Sequence, residues 1–211
     1  MLQEGQTREL EQACAQASAT TAALNRATAR WHQEKPAPQG ELFDLHLANF
    51  ELWHLEDQAR DLTSGDAAVA ATKRAIDEVN QRRNDTAERI DDALLQALAG
   101  RNLPAAGAPL HSETPGQILD RLSILSLKLF HTAFEAQRED TDAAHREQNG
   151  LRLAALREQQ NDLAGCLAAL WAAILNGERR FKRYRQMKMY NDPSLNPVLY
   201  SAERQQQQIS R

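Results

Sequence analysis

The residues best suited to chemistry in this chain are polar and charged side chains that interrupt the apolar faces of three predicted helices. Arginine and lysine side chains bind phosphate groups, whereas carboxylates and amides orient hydroxyl groups. The side chains expected to bind a ligand are Lys73, Asp77, Asn80, Arg83, Asn84, Asp120, Arg121 and Lys128. The composition of this set predicts a site for a phosphorylated sugar or a nucleotide-like anion.

Different members of the set are expected to do different things. The side chains expected to hold the anion are Arg83, Arg121 and Lys128. The candidates for acid or base catalysis are His54 and Asp57, which lie on one side of a helix because they are three residues apart. Removing one member of a buried ion pair costs about 3 to 5 kcal/mol, so charges on apolar helix faces need partners. We therefore expect Asp57, Arg83, Asp91 and Arg121 to converge in the folded chain.

Two alternatives to ligand binding remain open at this point. The same polar residues are also typical of a structural salt-bridge network that fixes how helices pack against one another. Carboxylates are in addition the ligands that Mg²⁺ or Mn²⁺ prefer. The metal ligands would then be Asp57, Glu88 and Asp91, with His54 as acid or base, in a metal-assisted phosphoester or pyrophosphate hydrolase. Apart from Mg²⁺ or Mn²⁺ in this alternative, we expect no cofactor.

The segment between residues 179 and 200 has the most unusual composition of the chain. Its basic residues alternate with aromatic ones, which suits phosphate contacts together with ring stacking. Pro193 and Pro197 predict that a helix begun after Gly177 stops near residue 190 and that the apolar residues beyond it pack back on the bundle. The side chains that this packing would bring to the ligand site are Lys188, Tyr190 and Asn191.

The composition argues against several classes of protein. A net charge of −4 gives no general affinity for nucleic acid. No apolar run approaches the length of a membrane span. The chain has neither the strand–turn–helix elbow of serine hydrolases nor a glycine-rich phosphate loop after a strand. Its two cysteines, Cys14 and Cys166, lie far apart, which is typical of reduced thiols in a cytoplasmic protein.

Apolar periodicity predicts five helices with short connections and no strand. Their predicted ranges are 6–34, 41–62, 66–98, 115–137 and 145–176. The fold class is therefore predicted to be all-α, a single-domain helical bundle of about five helices with an ordered non-helical C-terminal segment. The domain is expected to cover residues 1–200, and residues 201–211 are expected to form a disordered tail.

The helix that begins at Pro115 is predicted to lie at the centre of the bundle. Thr114 suits the N-cap position, Pro115 the first helical position and Gln117 the glutamine of a capping box. Apolar residues then cover more than half of the circumference. The remaining polar arc, about 100° wide by helix geometry, contains Gln117, Asp120, Arg121, Lys128 and His131.

Several motifs of the chain resemble those of a bacterial family catalogued as domain of unknown function 4254. The motifs are Leu52-Trp-His54 with Glu56, Asp57 and Arg60; Lys73-Arg-Ala-Ile-Asp77 with Asn80, Arg83, Asn84 and Glu88-Arg-Ile-Asp91; Ser112-Glu-Thr-Pro-Gly116 with the stretch from Asp120 to Lys128; and the stretch from Lys188 to Tyr200. The resemblance covers about residues 20–200.

Members of that family are expected to be all-helical, and they are often encoded near glycosyltransferases of lipopolysaccharide assembly. The resemblance therefore implies a context of sugar nucleotides or phosphosugars in the assembly of cell-surface polysaccharide. A glycosyltransferase is then an expected partner, and a third interpretation of the chain is a non-catalytic accessory protein of such an enzyme. The sequence alone leaves all three functions open.

Overall fold

A computed structural model of the chain describes residues 4–61, 63, 65–183, 185, 194–197 and 201. Within these residues the chain forms six helices: α1 (Glu4–Ala15), α2 (Ala17–Trp31), α3 (Glu41–Gln58), α4 (Asp66–Ala99), α5 (Pro115–Gln137) and α6 (Ala143–Leu175). The described residues form no strand. The predicted all-α class and the single helical domain are confirmed. No helix in this part of the chain is both long enough and apolar enough to cross a lipid bilayer.

The stretch predicted as one helix over residues 6–34 is two helices. The backbone leaves the helical conformation at Gln16, with φ −111° and ψ 45°. The Thr20 hydroxyl donates a hydrogen bond across the junction to the Ala13 carbonyl (3.1 Å). The prediction of a continuous helix was wrong because this alanine- and glutamine-rich stretch has no glycine or proline to mark a break.

Helix α5 is the central element, as predicted. It packs against α2, α3, α4 and α6. The core residues that surround it include Leu24, Leu45, Ile90, Leu94, Leu98, Leu167, Trp171 and Ile174. Phe134 is an exception to the predicted apolar face, because it lies in the last turn of α5 and is 64% exposed.

The start of α5 is held by hydrogen bonds from its own capping box and from α4. The Gln117 amide donates to the Thr114 hydroxyl (3.2 Å), and the Thr114 amide donates to the Gln117 side-chain oxygen (2.9 Å). The predicted capping box is therefore confirmed. The Gly116 amide donates to the buried carboxylate of Asp91 (2.8 Å). A Cβ atom on Gly116 would lie 2.5 Å from the Ala87 carbonyl oxygen, so only glycine permits this approach of α5 to α4.

The chain after α6 is not helical in residues 178–183. Gly177 ends α6 as predicted and has a φ of 74°, which favours glycine. Arg180 then lies beside the loop before α5, where its carbonyl accepts a hydrogen bond from the His111 amide (2.8 Å). Phe181 is buried in the core. The expectation of a helix directly after Gly177 is therefore wrong, because these residues pair with the loop and with the core instead.

The structure does not describe most of the segment beyond residue 185. The predicted site residues that lie outside the described residues are Lys188, Tyr190 and Asn191. The packing of residues 190–200 against the bundle therefore stays a prediction, as does a disordered tail, since residues 202–211 also lie outside the described part.

The buried carboxyl of Asp91 gives a prediction about stability and pH. Burial raises its pKa, and hydrogen bonds from Thr114 and Gly116 lower it again, so that its pKa is about 6. This value lies above the unfolded pKa of about 4. The folded chain therefore binds more protons than the unfolded chain between about pH 4 and 6, and stability falls as the pH rises through this window.

We expect Asp91→Asn to raise the free energy of unfolding at pH 7 by about 1 to 2 kcal/mol, because the amide oxygen still accepts from Gly116 without a buried charge. The pH dependence between 4 and 6 should also become flatter. Urea unfolding at pH 4.5, 6 and 7 measures both effects, with the exposed Asp85→Asn as the control. A loss of stability in Asp91→Asn at pH 7 would show that the ionised carboxylate is needed.

Candidate functional site

Helices α3, α4 and α5 enclose a cavity of about 410 Å³. Its lining residues are Asn49, Leu52, Trp53, Glu56 and Asp57 from α3, Arg60 from the turn after α3, Ile76, Asn80 and Arg83 from α4, and Ile124 and Leu127 from α5. The residues from each helix recur at spacings of three and four, which places them on one helix face. Apolar side chains and a few polar groups therefore share one concave surface, which is the usual composition of a small-molecule site.

Surface ion pairs and buried packing set the alignment of the three helices. Glu41 pairs with Arg89 (3.0 Å), and Glu51 pairs with Arg82, so α3 and α4 run antiparallel. This alignment brings Arg83 to the level of Asn49. Such exposed pairs contribute little stability, and the buried apolar faces of α3 and α5 supply most of the packing energy.

Arg83 is the basic group that lies deepest in the cavity wall. Its Nε atom is 3.5 Å from Oδ1 of Asp120, and the side chains are 27% and 14% exposed respectively. The Nε atom is buried and finds no hydrogen-bond acceptor among the described residues. Burial raises the pKa of the Asp120 carboxyl, while Arg83 and a hydrogen bond from Asn49 lower it. The pair is therefore an ion contact without a hydrogen bond on Nε.

A buried polar network extends from Asp120 into the core. Nδ2 of Asn49 donates to Oδ1 of Asp120 (2.8 Å) and to the Ser123 hydroxyl (3.0 Å). The Ser123 hydroxyl contacts Nδ1 of His46 (2.8 Å). Ser123 is fully buried, so its hydroxyl cannot attack a substrate. The serine–histidine contact is therefore structural. Sequence reasoning missed Asn49, although its position between Leu45 and Leu52 on an apolar helix was a usable signal.

Three of the predicted site residues line the cavity, and a fourth lies behind it. Asp57, Asn80 and Arg83 are in the wall, and Asp120 contacts Arg83. Lys73 and Asp77 do not line the cavity and instead pair with each other on α4. They follow the first turns of this helix, residues 66–71, which are all exposed.

Asn84 is buried but does not line the cavity. Of the predicted ligand-binding residues on α4, only Asn80 and Arg83 therefore line the cavity.

The predicted meeting of Arg83, Arg121 and Lys128 at one anion is wrong. Arg121 and Lys128 line a different groove of about 460 Å³ between α5 and α6. Arg121 also donates to Glu113 (2.6 Å). The physical reason is that adjacent residues on a helix point about 100° apart. Asp120 therefore contacts Asn49 of α3 and Arg83 of α4, whereas Arg121 lies on the side of α5 that faces α6.

The residues considered as metal ligands are not brought together. Asp57 lines the cavity, and Asp91 accepts from Gly116 at the start of α5. Glu88 lies 3.7 Å from Arg183. No group of three His, Cys, Asp or Glu in the described chain could hold a metal ion. Of the four residues expected to converge, only Asp57 and Arg83 line the same cavity, whereas Asp91 and Arg121 lie elsewhere.

Three histidines form a cluster behind the cavity wall. The ring centroids of His32, His54 and His131 lie 5.0 to 6.1 Å apart. His131 stacks on Trp53, with centroids 4.4 Å apart and planes 7° apart. His54, a candidate acid or base, therefore lies beside Trp53 and not in the cavity lining. Sequence reasoning missed His32, which is the C-cap residue of α2.

Two histidines of the cluster, His131 and His54, have lowered pKa values. Burial is the main cause that lowers the pKa of His131 to about 4, and the neighbouring His32 and His54 lower it further. Burial and His32 also lower the pKa of His54. Nε2 of His32 and Nε2 of His131 are buried and have no hydrogen-bond partner within the described ranges. The lowered pKa of His54 favours its neutral form, which can accept a proton.

A family model described as protein of unknown function (DUF4254) matches residues 40–183. The chain belongs to this family. The predicted resemblance is thereby confirmed, although the match is shorter than the range of 20–200 and leaves out the motif after residue 187. The cavity and the Arg83–Asp120 pair lie inside the DUF4254 region. No curated protein and no solved structure matches the chain.

His131 gives a prediction about stability in acid. Its folded pKa of about 4 lies below the unfolded value of about 6.5. The unfolded chain therefore binds more protons in this window, and stability is lost as the pH falls from about 6.5 to 4. His131→Phe keeps a ring against Trp53 but does not titrate. We expect the loss of unfolding free energy between pH 6.5 and 4.5 to be smaller by about 1 kcal/mol, a value discounted for partial exposure.

Urea unfolding of the His131→Phe protein at both pH values measures this difference. The control is His145→Gln, which removes a histidine outside the cluster that contacts Glu135 (2.9 Å). Equal losses in the wild-type and His131→Phe chains would contradict a neutral, buried His131.

Proposed function

We propose that this DUF4254 protein binds a phosphorylated small molecule, a sugar phosphate or a nucleotide-like anion, in the cavity between α3, α4 and α5. The observation that carries the proposal is the buried Nε–H of Arg83, which lacks an acceptor in the described residues. A buried donor without an acceptor costs about 1 to 3 kcal/mol. A ligand oxygen at this position would remove that cost, and guanidinium groups are well suited to phosphate.

The other lining groups divide the cavity into two ends. Asn49 and Asp57 are eight residues apart on α3, which corresponds to about 12 Å along the helix. Arg83 lies at the Asn49 end, while Asp57 lies at the other end, where Glu56 pairs with Arg60 (2.9 Å). Carboxylates repel phosphate and accept hydrogen bonds from hydroxyl groups. The phosphate therefore belongs at Arg83 and the hydroxyl-bearing part of the ligand near Asp57.

Trp53 and Asn80 lie between the two ends. His131 covers one face of the Trp53 indole, and the remaining indole surface lines the cavity, where it offers a flat contact for a sugar or base ring. Asn80 adds an amide that both donates and accepts hydrogen bonds. The cavity volume of about 410 Å³ falls within the range of small-molecule sites.

The cellular setting is part of the same proposal. Cys14 and Cys166 are both free thiols, which suits the reducing cytoplasm. We place the ligand in cell-surface polysaccharide assembly, including lipopolysaccharide, with a glycosyltransferase as partner. The support for this context is the gene neighbourhood expected for the family. No observation favours the metal-assisted hydrolase, since Asp57, Glu88 and Asp91 lie at separate places.

Binding is tested by thermal shift and calorimetry with inorganic phosphate, glucose 6-phosphate and UDP-glucose, and with glucose as the neutral control. A ligand at 100 times its Kd should stabilise the chain by about 2.7 kcal/mol. Arg83→Gln should abolish this effect. The matched control is Arg82→Gln, because Arg82 is the neighbouring arginine and pairs with Glu51 at the surface. If no phosphorylated compound binds, the accessory-protein interpretation replaces the proposal.

The stability of Arg83→Gln without ligand separates a binding site from a structural network. In a binding site the arginine is held without a full set of partners, so its loss should change the unfolding free energy by less than about 1 kcal/mol. In a structural network the loss should cost about 3 to 5 kcal/mol, because Asp120 would lose its counter-ion. Urea unfolding of Arg83→Gln, Arg121→Gln and Arg82→Gln decides between the two, and the two surface arginines should show small effects in both cases.

A further inference from the structure

A chain of buried hydrogen bonds connects α2 with the cavity. Thr28, His46 and Ser123 are fully buried, and Asn49 is nearly so. The Thr28 hydroxyl contacts Nε2 of His46 (3.0 Å), and Nδ1 of His46 contacts the Ser123 hydroxyl (2.8 Å). Asn49 then links Ser123 to Asp120. Each member of this chain of residues therefore lies within hydrogen-bond distance of the next.

The direction of each hydrogen bond follows from counting protons. The single proton of the Thr28 hydroxyl goes to the Leu24 carbonyl (3.0 Å), so the hydroxyl oxygen must accept from Nε2–H of His46. A neutral imidazole carries one N–H, and burial lowers the pKa of His46 to about 4. Nδ1 is therefore bare and accepts the Ser123 proton. The Ser123 oxygen is then left to accept from Asn49.

The amide of Asn49 consequently has one allowed orientation. Its two Nδ2 protons go to Ser123 and to Oδ1 of Asp120. A flipped amide would set its oxygen against the Asp120 carboxylate and against a hydroxyl whose proton is already used. Asn49 thus holds Oδ1 of Asp120 at 2.8 Å, and the same oxygen is the one that lies 3.5 Å from Nε of Arg83.

This geometry differs from that of an unrestrained ion pair. Arginine–carboxylate contacts usually close to about 2.7 to 2.9 Å with full hydrogen bonds. Here the carboxylate oxygen nearest to Arg83 is already held by a short bond to Asn49. Asp120 therefore balances the charge of the guanidinium, while the Nε–H of Arg83 keeps no acceptor among the described residues. A phosphate oxygen can accept a hydrogen bond from this donor.

We propose that Asn49 is a positioning residue that holds Asp120 back from Arg83 and so keeps the arginine available to an anionic ligand. His46 and Ser123 extend this role by fixing the orientation of the Asn49 amide. The inference rests on the proposed function of Arg83 as the phosphate anchor. It adds that the ligand and Asp120 compete for the same guanidinium. Thr28 of α2 contributes to this competition because it fixes the tautomer of His46 and thereby the orientation of Ser123 and Asn49.

A double-mutant cycle tests the competition, with glucose 6-phosphate as the probe and calorimetry as the measurement. Asn49→Ala should weaken binding at least about tenfold in the wild-type background, because Asp120 closes on Arg83. In an Asp120→Asn background the same change should have less than a twofold effect, since no carboxylate remains to compete. Equal losses in both backgrounds would overturn the proposal, because Asn49 would then contact the ligand itself. An unchanged affinity in the Asn49→Ala single variant would overturn it too.

Ser123→Ala provides a second variant in case Asn49→Ala does not fold. It removes the oxygen that accepts the other amide proton of Asn49, and it should weaken binding in the same direction by a smaller factor. Ser126→Ala is the control, because Ser126 is also buried on α5 but hydrogen-bonds to the Leu122 carbonyl (3.1 Å). A loss of affinity in Ser126→Ala equal to that in Ser123→Ala would show a general packing effect and overturn the proposal.

A readout without ligand separates this inference from the proposed function. The Nε–H signal of Arg83 in a proton–nitrogen correlation spectrum, assigned by its absence in Arg83→Gln, should be that of a group without a hydrogen bond. It should move to lower field in Asn49→Ala and stay in place in Ser126→Ala. A signal that does not move in Asn49→Ala overturns the positioning role. If the signal moves but no phosphorylated probe binds, the positioning role stands and the proposed function fails.

Discussion

The need to satisfy buried polar groups along α5 constrains the whole bundle. This helix lies at the centre, where water cannot hydrogen-bond its side chains, so each buried polar group needs a partner from another helix. The Gly116 amide at its first turn finds Asp91 of α4, and Ser123 near its middle finds His46 and Asn49 of α3. These contacts are directional, unlike apolar packing. They fix the rotation of α5 and hence which of its polar residues faces each neighbour.

Nε of Arg83 on α4, next to this polar face of α5, is a buried donor without an acceptor in the described residues. Nε of Arg83 points at a carboxylate that is held at 3.5 Å, whereas His46, Ser123 and Asn49 all have short contacts within 3.0 Å. A network evolved only to hold helices together gains nothing from such a gap. Arg83 also lines the cavity, so this energetic cost falls on a residue that a ligand can contact.

The histidine cluster lies behind the Trp53 side of the cavity wall. His131 stacks flat against Trp53, and its pKa of about 4 keeps this imidazole uncharged near neutral pH. The positive charge in the cavity therefore comes from Arg83 at one end and from Arg60 at the other. Arg60 pairs with Glu56, and Asp57 lies at the same end. A ligand meets a polarised surface with a flat aromatic contact in its middle, and this arrangement suits a molecule with an anionic end and a hydroxylated ring.

The sequence by itself determined the helical class, the boundaries of most helices, the capping box at Thr114 and the family. These features depend on local periodicity, on turn residues and on motifs that lie close together in the chain. Helix rotation, by contrast, was decided by tertiary packing. A wheel projection cannot tell which neighbour covers each side, so it placed Arg83 and Arg121 at one site, although these two arginines line different grooves. It also gave no weight to Asn49 and His32, whose partners Asp120 and His131 come from α5.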